Sequence, residues 1–441
     1  MPGFLRTRLS TPDAQKIAGN TGWLIADKLV KAAGELTIGL WMARYLGPEN
    51  FGLLSYAIAF VGLFGAIAPV GLNKIVVRDL VREPQHKYEI LGTALVIRIL
   101  SGVVLAAIAS LSILKLRPDE PQVHWLIVMI ALGIVLQAAD IIGYWFQTQM
   151  QAHNNAIAAS TAYLISSGLR IGSMLKQLPV MAFGALMGIE IAVRSAGLAL
   201  AYFRSGEAIH RWQCNLKRAS CLLRASLPLV LSGIAVTIYM RIDQIMLGQM
   251  AGDEAVGIYA AAVKLSEAWY FIPVAIARSS FPLLLAAKQD NEDLYYRRLR
   301  KLFKSTVAIT YIIILPTALF ARPLISSLLG QAYLPAGSIL SVHIWSGLFV
   351  SLGVIRELWM TAENLLQFYF ITTASGALIN IGINYALIPD YGSVGAAVAT
   401  LVSYAFANLI LCSIYPKTRV IAKIMVSTLV PIPMKVRLNH D

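Results

Sequence analysis

Long stretches of apolar residues without any charge dominate the pattern of the chain. Residues 99–114, 323–355 and 391–416 contain no Asp, Glu, Lys or Arg. A helix needs about 20 mostly apolar residues to cross a bilayer, and these stretches approach or exceed that length. The alternation typical of membrane strands is absent, so we expect backbone groups to be paired within helices. The pattern predicts an all-α integral membrane protein.

Turn residues divide this pattern into about 12 transmembrane helices, six in each half of the chain. An even number of helices per half inserts both halves in the same orientation, so the halves are predicted to be parallel repeats. The predicted spans are residues 20–43, 51–73, 90–114, 124–148, 156–175, 180–203, 225–250, 256–287, 304–325, 336–362, 366–388 and 393–415.

Short sequence echoes support a duplication. Residues 46–52, Leu-Gly-Pro-Glu-Asn-Phe-Gly, recur loosely as residues 251–257, Ala-Gly-Asp-Glu-Ala-Val-Gly. Internal repeats with a cavity at their interface are common among secondary transporters. Three further echoes follow in the same order: 69–74 with 273–278, 150–154 with 360–364, and 183–185 with 394–396.

Basic residues indicate the orientation in the membrane. Only 14% of the residues are charged, and most of the 37 Lys and Arg fall on the side of the amino terminus. Cytoplasmic loops carry such an excess, so both termini are predicted to be cytoplasmic. The net charge of +14 is then an orientation signal, and no nucleic-acid partner is expected. The main basic segments are 74–87, 204–224, 288–304 and 417–437.

The longest polar stretch between apolar runs divides the chain into two lobes. The predicted parts are an N-terminal six-helix lobe (1–203), a cytoplasmic basic linker (204–224), a C-terminal six-helix lobe (225–415) and a cytoplasmic tail (416–441). We expect no signal peptide, because no small-residue cleavage site follows a short apolar core. Cys214, Cys221 and Cys412 lack metal-ligand spacing, so neither a disulfide nor a metal site is expected.

Ionisable residues inside the spans are the candidate chemistry. Each costs at least about 2.5 kcal/mol on insertion scales and usually faces a cavity or a partner. In the first span Asp27, Lys28, Lys31 and Glu35 share one face. For any single pair, such as Glu190 with Arg194 or Lys264 with Glu267, a structural ion pair is the alternative. The other charges are Arg98, Asp140, Arg170, Glu190, Arg194, Arg241, Asp243, Lys264, Glu267, Arg278, Arg356 and Glu357.

Taken together, these charges predict a polar central cavity. Guanidinium and ammonium groups suit a phosphate or diphosphate, so an amphiphile with an anionic sugar-phosphate head is the expected ligand. Asp27 and Glu35 are candidate coupling groups for a proton or sodium ion, or permanent partners of the neighbouring lysines. No catalytic motif and no cofactor site is recognised, so an enzyme is not expected. The candidate substrate-binding residues are Lys28, Lys31, Arg98, Arg241, Lys264 and Arg278.

Three segments carry a family resemblance: 43–56 (Ala-Arg-Tyr-Leu-Gly-Pro-Glu-Asn-Phe-Gly-Leu-Leu-Ser-Tyr), 71–80 (Gly-Leu-Asn-Lys-Ile-Val-Val-Arg-Asp-Leu) and 90–93 (Ile-Leu-Gly-Thr). The chain resembles the polysaccharide-unit (O-antigen type) flippases of the multidrug/oligosaccharidyl-lipid/polysaccharide exporter superfamily. The resemblance implies a V-shaped pair of six-helix bundles in the bacterial cytoplasmic membrane. It also implies alternating-access transport of a polyprenyl-diphosphate-linked oligosaccharide, with membrane lipids and polysaccharide polymerase machinery as partners.

Three other functions compete with this one. A multidrug antiporter and a lipid II flippase of the same superfamily would share the architecture. An antiporter for cations would favour an acidic cavity, whereas Lys28 and Lys31 neutralise part of the acidic patch. A membrane-embedded glycan polymerase or ligase should expose a large outer loop, and the longest predicted outer loop is only residues 115–123.

Overall fold

A computed structural model describes the backbone of residues 12–69 and 71–429, with their side chains except at residues 12–32, 228, 229, 232 and 366. All regular structure in these ranges is helical, as the apolar pattern predicts. The helices are α1 (Pro12–Gly65), α2 (Leu72–Arg82), α3 (Lys87–Leu116), α4 (Pro121–Leu136), α5 (Asp140–Thr148), α6 (Ala152–Leu175), α7 (Val180–Arg204), α8 (Leu216–Met250), α9 (Asp253–Glu267), α10 (Phe271–Asp290), α11 (Glu292–Leu319), α12 (Ala321–Leu329), α13 (Ala336–His343), α14 (Ser346–Ala362), α15 (Leu366–Ala405), α16 (Leu411–Ile414) and α17 (Arg419–Leu429).

Seven helical stretches of the described residues are long and apolar enough to cross a membrane by length and composition. They are Pro84–Leu116, Pro121–Thr148, Val180–Arg204, Asp253–Asp290, Glu292–Leu319, Ala336–Ala362 and Gln367–Ile414. All of them overlap predicted spans, although Glu292–Leu319 begins 12 residues before the predicted span 304–325. The stretch Gln367–Ile414 covers two predicted spans, because α15 continues across a break at Gly392.

Several predicted spans are interrupted rather than continuous. Residues 256–287 form two helices, α9 and α10, separated by the turn at 268–270. Residues 336–362 form α13 and α14, and residues 124–148 contain a 3-10 turn, Gln137–Ala139. A π-helical segment, Phe406–Ile410, interrupts the last predicted span. Hydropathy reports only how apolar a stretch is, so it cannot detect a turn made of apolar or small residues.

Two glycines from the echoed motif have the same backbone conformation. Gly47 has φ 71° and ψ 170°, and Gly252 has φ 85° and ψ 174°. This region is accessible essentially only to glycine. In each case a new helical segment starts with the next residue, Pro48 or Asp253. Both copies of the motif therefore end one helix and begin another in the same way.

The two turns at Gln149–Gln151 and Glu363–Leu365 also match. Met150 and Asn364 both have φ 57°, and each turn is followed by a new helix. The backbone nitrogens of Gln149 and Glu363 donate to Trp145 and Trp359, respectively. The sequence echo paired Met150 with Met360 instead. The residue of the second copy that corresponds in structure is Asn364, four residues further along the chain.

Helix α8 joins the two halves of the chain. Near its start, Leu222 packs in a cluster with Leu72 and Ile90 of the N-terminal half. Near its end, Leu247 belongs to the large core that also holds the C-terminal helices. Its first turn is capped by Asn215, so the helix begins inside the predicted linker. We call the region around Leu216, where α8 starts, the linker end. The region around Met250, where α8 ends, is the crossing end.

The first turn of α8 and the residues before it are bound to the N-terminal half at the linker end. Arg218 donates to Glu89 Oε1 and Glu83 Oε2, both at 2.9 Å. The Gln213 backbone lies against Gly92, where a Cβ atom would collide with it. Lys87 Nζ lies 2.6 Å from Glu207 Oε1. The linker is thus packed against the N-terminal half.

Candidate functional site

The Lys264 side chain lies where helices from both halves of the chain meet. The end of this side chain lies against Gly39 of α1, where a Cβ atom would collide with Lys264 Nζ and Cε. The charges of Arg170, Glu35 and Arg241 act on the Lys264 ammonium group. We call Glu35, Arg170, Arg241 and Lys264 the central cluster. Three of its four members are predicted site residues that lie far apart in the sequence.

The central cluster holds three bases and one acid, and two further acids, Glu190 and Glu267, lie beside it. Arg170 Nη2 is paired with Glu190 Oε2 at 2.6 Å. Among the described side chains, neither Arg241 nor Lys264 has a carboxylate oxygen within 4.0 Å. Both side chains are half-buried. The Glu267 carboxylate lies within electrostatic reach of Arg241, and the side chain of Asp27 lies outside the described residues.

A second polar network lies within the N-terminal half, around Asp140. Arg194 Nη2 is 3.1 Å from Asp140 Oδ1, and Arg98 Nη2 is 4.0 Å from Asp140 Oδ2. Arg98 is buried and also donates to Tyr144 Oη at 2.9 Å. The sequence spacing suggested that Arg194 pairs with Glu190, but each binds a partner on another helix. These ion pairs join helices rather than stabilise single ones.

The structure brings together only some of the predicted site residues. Glu35, Arg241 and Lys264 belong to the central cluster, and Arg98 belongs to the Asp140 network. Arg278 is exposed on α10. The predicted residues Asp27, Lys28 and Lys31 have side chains outside the described residues. Their proposed roles stay predictions.

Asp243 is the centre of a buried polar cluster in the C-terminal half. Its Oδ2 accepts from Thr400 Oγ1 at 2.5 Å and from Tyr259 Oη at 2.7 Å, and its Oδ1 accepts from Asn384 Nδ2 at 3.0 Å. Asn384 Nδ2 also donates to Asn380 Oδ1 at 2.9 Å. Three helices, α8, α9 and α15, supply these groups.

Sequence reasoning noted Asp243 only as a neighbour of Arg241. Residues two apart on a helix do not face each other, so that pairing carried no geometric information. The better signal was Asn380 and Asn384, two amides one turn apart in an otherwise apolar span. Polar side chains at membrane depth usually meet a polar partner on another helix.

The crossing end is closed by contacts between the halves of the chain. Arg117 Nη1 lies 2.8 Å from Asp253 Oδ1 and 3.0 Å from Glu120 Oε2. Its guanidinium carbon lies 4.1 Å from the centroid of the Tyr56 ring. Burial acts to lower the pKa of the Arg117 guanidinium, but the hydrogen bond and charge of Asp253 outweigh burial and raise that pKa above its ordinary value. Arg117 is therefore a permanent cation that ties α3 to α9.

Another contact at this end joins Tyr333 and α1. Tyr333 Oη donates to the Ala43 carbonyl oxygen at 2.7 Å, and both groups are buried. Helix α1 also packs along α9. The contacts across the two halves are thus made mainly through α1.

Comparison with known families assigns the chain to one of them. Residues 17–288 match the family described as "Polysaccharide biosynthesis protein". The chain belongs to this family. With its apolar helices, it is an all-helical, multi-pass membrane protein, and the resemblance noted in the sequence is confirmed.

Named relatives of this family member are flippases and transporters. "Probable flippase AglR" of Haloferax volcanii is 29% identical over 51% of this chain, and the chain covers only 43% of that relative. "Probable low-salt glycan biosynthesis flippase Agl15" of the same organism is 23% identical, over 85% of this chain and 78% of the relative. A "Putative O-antigen transporter" of Shigella dysenteriae is 22% identical, over 82% of this chain and 90% of the relative.

Solved transporters share the fold. An inward-facing multidrug resistance MATE family transporter of the MOP superfamily has a TM-score of 0.72 at 15% identity, covering 91% of this chain and 96% of that chain. Lipid II flippase MurJ in an inward closed conformation has a TM-score of 0.71 at 15% identity, covering 92% and 90%. An outward-facing MATE transporter has a TM-score of 0.59 at 13% identity, covering 90% and 94%.

Proposed function

We propose that the protein is a flippase, and not an enzyme. It moves polyprenyl-diphosphate-linked oligosaccharide units from the cytoplasmic to the outer leaflet of the bacterial inner membrane. The units serve O-antigen, exopolysaccharide or capsule biosynthesis. The family assignment and the names of the relatives support this class of substrate.

The observation that carries the proposal is the central cluster. Arg241 and Lys264 lack a close carboxylate partner among the described side chains, and their position between the two halves suits a ligand that passes through the middle of the protein. Charges in the membrane are costly unless compensated, so an anionic head group is a fitting partner. A diphosphate offers several acceptor oxygens to guanidinium and ammonium groups. Lys28 and Lys31, on α1, are proposed to extend this basic surface.

We further propose the full predicted architecture: 12 transmembrane helices in two parallel six-helix lobes that form a V, with both termini and the linker in the cytoplasm. The shared conformation of Gly47 and Gly252 supports a duplication, as do the matching turns at Met150 and Asn364. Their separation along the chain equals about half its length, as two repeats of similar size require.

Alternating access is the proposed mechanism. The Arg117 contacts close the crossing end, which by the distribution of basic residues would face outside. Transport then requires the crossing end to open while the halves approach each other at the linker end.

Asp27 and Glu35 are proposed to couple transport to a proton or sodium gradient, because the Glu35 charge acts on the central cluster. Polysaccharide polymerase machinery is the proposed partner that uses the delivered unit. A multidrug antiporter would share the fold, but Arg241 and Lys264, which have no carboxylate oxygen within 4.0 Å among the described side chains, suit an anion better than a cationic drug.

The test is to remove charge from the central cluster in cells that depend on this protein for surface polysaccharide. Arg241→Ala, Lys264→Ala and Lys31→Ala should abolish the polysaccharide, whereas Arg241→Lys should retain part of it because the charge remains. Lys301→Ala, an exposed base outside the cluster, is the matched control. Normal polysaccharide from all three alanine variants, at normal protein levels, would contradict a shared anion site.

A further inference from the structure

Glu267 is a half-buried acid at the edge of the central cluster. It lies on α9, one turn after Lys264, and Arg241 is the base within electrostatic reach of it. Among the described side chains, no base lies within 4.0 Å of its carboxylate oxygens and no donor forms a hydrogen bond with them. A carboxylate withdrawn from bulk water needs such donors. Glu267 therefore offers two oxygens to a ligand.

Tyrosines of the C-terminal half lie around Glu267. The backbone nitrogen of Tyr270 donates to the Glu267 carbonyl oxygen at 2.9 Å, in the turn between α9 and α10. The Glu267 charge acts on Tyr270 and on Tyr404. The centroid of the Tyr404 ring, near the end of α15, lies 4.5 Å from that of the Tyr239 ring on α8. We call Tyr239, Tyr270 and Tyr404 the aromatic wall.

Several polar atoms in and beside the aromatic wall are unpaired. Tyr270 Oη is buried and makes no hydrogen bond, and its neighbour Ser266 Oγ lies 2.8 Å from His343 Nδ1 instead. Trp269 Nε1, in the same turn, is also buried without a partner. The Tyr404 hydroxyl forms no hydrogen bond with the described residues. Buried polar groups are almost always hydrogen-bonded, so these atoms indicate a missing ligand.

The unpaired groups fit a neutral ligand that both donates and accepts hydrogen bonds. An ionised Glu267 can only accept, whereas Trp269 Nε1 can only donate. A cation at this position would be repelled by Arg241, and an anion would be repelled by Glu267. The hydroxyls of a sugar both donate and accept, and aromatic rings provide an apolar surface for the carbon skeleton of the sugar ring. A neutral sugar is therefore the class of ligand that suits these groups.

We propose that Glu267, Tyr270 and Tyr404 form a subsite for the sugar ring attached directly to the diphosphate. Arg241 lies within electrostatic reach of both Lys264 and Glu267. A diphosphate bound by Arg241 and Lys264 therefore places its first sugar beside Glu267. The two carboxylate oxygens accept from two neighbouring hydroxyls, so the subsite selects sugars in which such a pair is free. This subsite rests on the proposed flippase function, which supplies the diphosphate-linked sugar.

The test compares the binding of two kinds of lipid by the purified full-length protein in detergent. One lipid is bare polyprenyl diphosphate, and the others carry a single glucose, galactose or N-acetylglucosamine on the diphosphate. The parent protein should bind at least one of the sugar-bearing lipids about tenfold more tightly than the bare lipid, which corresponds to about 1.4 kcal/mol. A lipid with glucuronic acid should show no such gain, because its carboxylate meets that of Glu267.

Glu267→Gln should remove the tenfold gain without weakening the binding of bare polyprenyl diphosphate, because it takes away an acceptor for hydroxyls and no base. Tyr404→Phe keeps the ring and removes one hydroxyl, so it should reduce the gain about threefold. Glu254→Gln is the matched control and should keep the gain, because Glu254 is an exposed acid in the first turn of the same helix.

Equal affinities of the parent protein for bare and sugar-bearing lipids would overturn the subsite, and so would a full gain in Glu267→Gln or Tyr404→Phe. An equal loss of affinity for both kinds of lipid in Glu267→Gln would also overturn it, since the carboxylate would then act on the fold or on the diphosphate. In each of these cases, weaker binding of the bare lipid by Arg241→Ala would leave the proposed function intact. Binding of neither kind of lipid by the parent protein would contradict the proposed function and the subsite together.

Discussion

Gly52 and Gly257 each lie against the backbone of the other's helix. A Cβ atom on Gly52 would collide with the Asp253 carbonyl oxygen, and one on Gly257 would collide with the Pro48 carbonyl oxygen. The two contacts mirror each other, because Pro48 and Asp253 occupy the same position in the two echoed motifs. Small residues allow membrane helices to approach this closely. The echo in the sequence therefore marks a helix crossing.

Enlarging either glycine should destabilise the crossing. Gly52→Ala or Gly257→Ala should lower the free energy of unfolding by about 1–3 kcal/mol, because backbone atoms cannot move aside as side chains can. Thermal unfolding in detergent measures the effect. Gly62→Ala is the control on α1, since a Cβ atom there has nothing within 4 Å. Equal melting temperatures for all three variants would show that the crossing tolerates the methyl group.

The sequence anticipated some of this architecture for clear physical reasons. Apolar runs predicted helices, and the motif around Gly47 correctly placed a helix break because glycine and proline both end helices. The break at Gly392 also falls between two predicted spans. In contrast, the turn at 268–270 separates α9 from α10 inside one apolar span, where hydropathy has no signal.

The partners of charged residues could not be derived from spacing. Glu190 and Arg194 are four residues apart, yet Glu190 pairs with Arg170 and Arg194 pairs with Asp140. Spacing along one helix describes its own faces only, and the neighbouring helix decides which pair forms. The Asp243 cluster was missed for the same reason, since its residues come from three helices.

Gly39 offers a way to move one charge without unfolding the protein. The atoms that a Cβ at Gly39 would meet are the far end of the flexible Lys264 side chain. Gly39→Ala should change the free energy of unfolding by no more than about 1 kcal/mol, and helix propensity acts in its favour. It should nevertheless reduce surface polysaccharide strongly, because the Lys264 ammonium group is displaced. Full polysaccharide export by this variant would indicate that the position of Lys264 is unimportant.

Arg117 is predicted to hold the crossing end shut. Arg117→Gln should destabilise the closed state by about 3 kcal/mol, because it leaves Asp253 without its cation. A cysteine at buried Leu53, in a background without the three native cysteines, should then react faster with a thiol reagent in detergent. The matched control is Glu120→Gln. Glu120 contacts the same arginine but is 47% exposed, so its loss should change labelling little.

Orientation in the membrane can be tested with reporter fusions. Alkaline phosphatase fused after Gly206 should be inactive, because the basic residues predict a cytoplasmic linker. The same enzyme fused after Asp119, in the turn between α3 and α4, should be active. The reverse pattern would invert the topology and would place the Arg117 contacts at the cytoplasmic face.

Two acids of the first helix, Asp27 and Glu35, are predicted to couple transport to an ion. Glu35 belongs to the central cluster and Asp27 shares its predicted face, so both acids are the candidate groups that couple transport to an ion. In proteoliposomes with a lipid-linked oligosaccharide, a pH or sodium gradient should change the translocation rate of the parent protein. The gradient should have no effect on Asp27→Asn or Glu35→Gln.

Glu207→Gln is the control for this experiment, because Glu207 lies in the linker and pairs with Lys87. It should respond to the gradients as the parent protein does. If the gradients leave the parent protein unaffected, or change all the variants equally, Asp27 and Glu35 are structural partners of the neighbouring bases and do not couple transport to an ion.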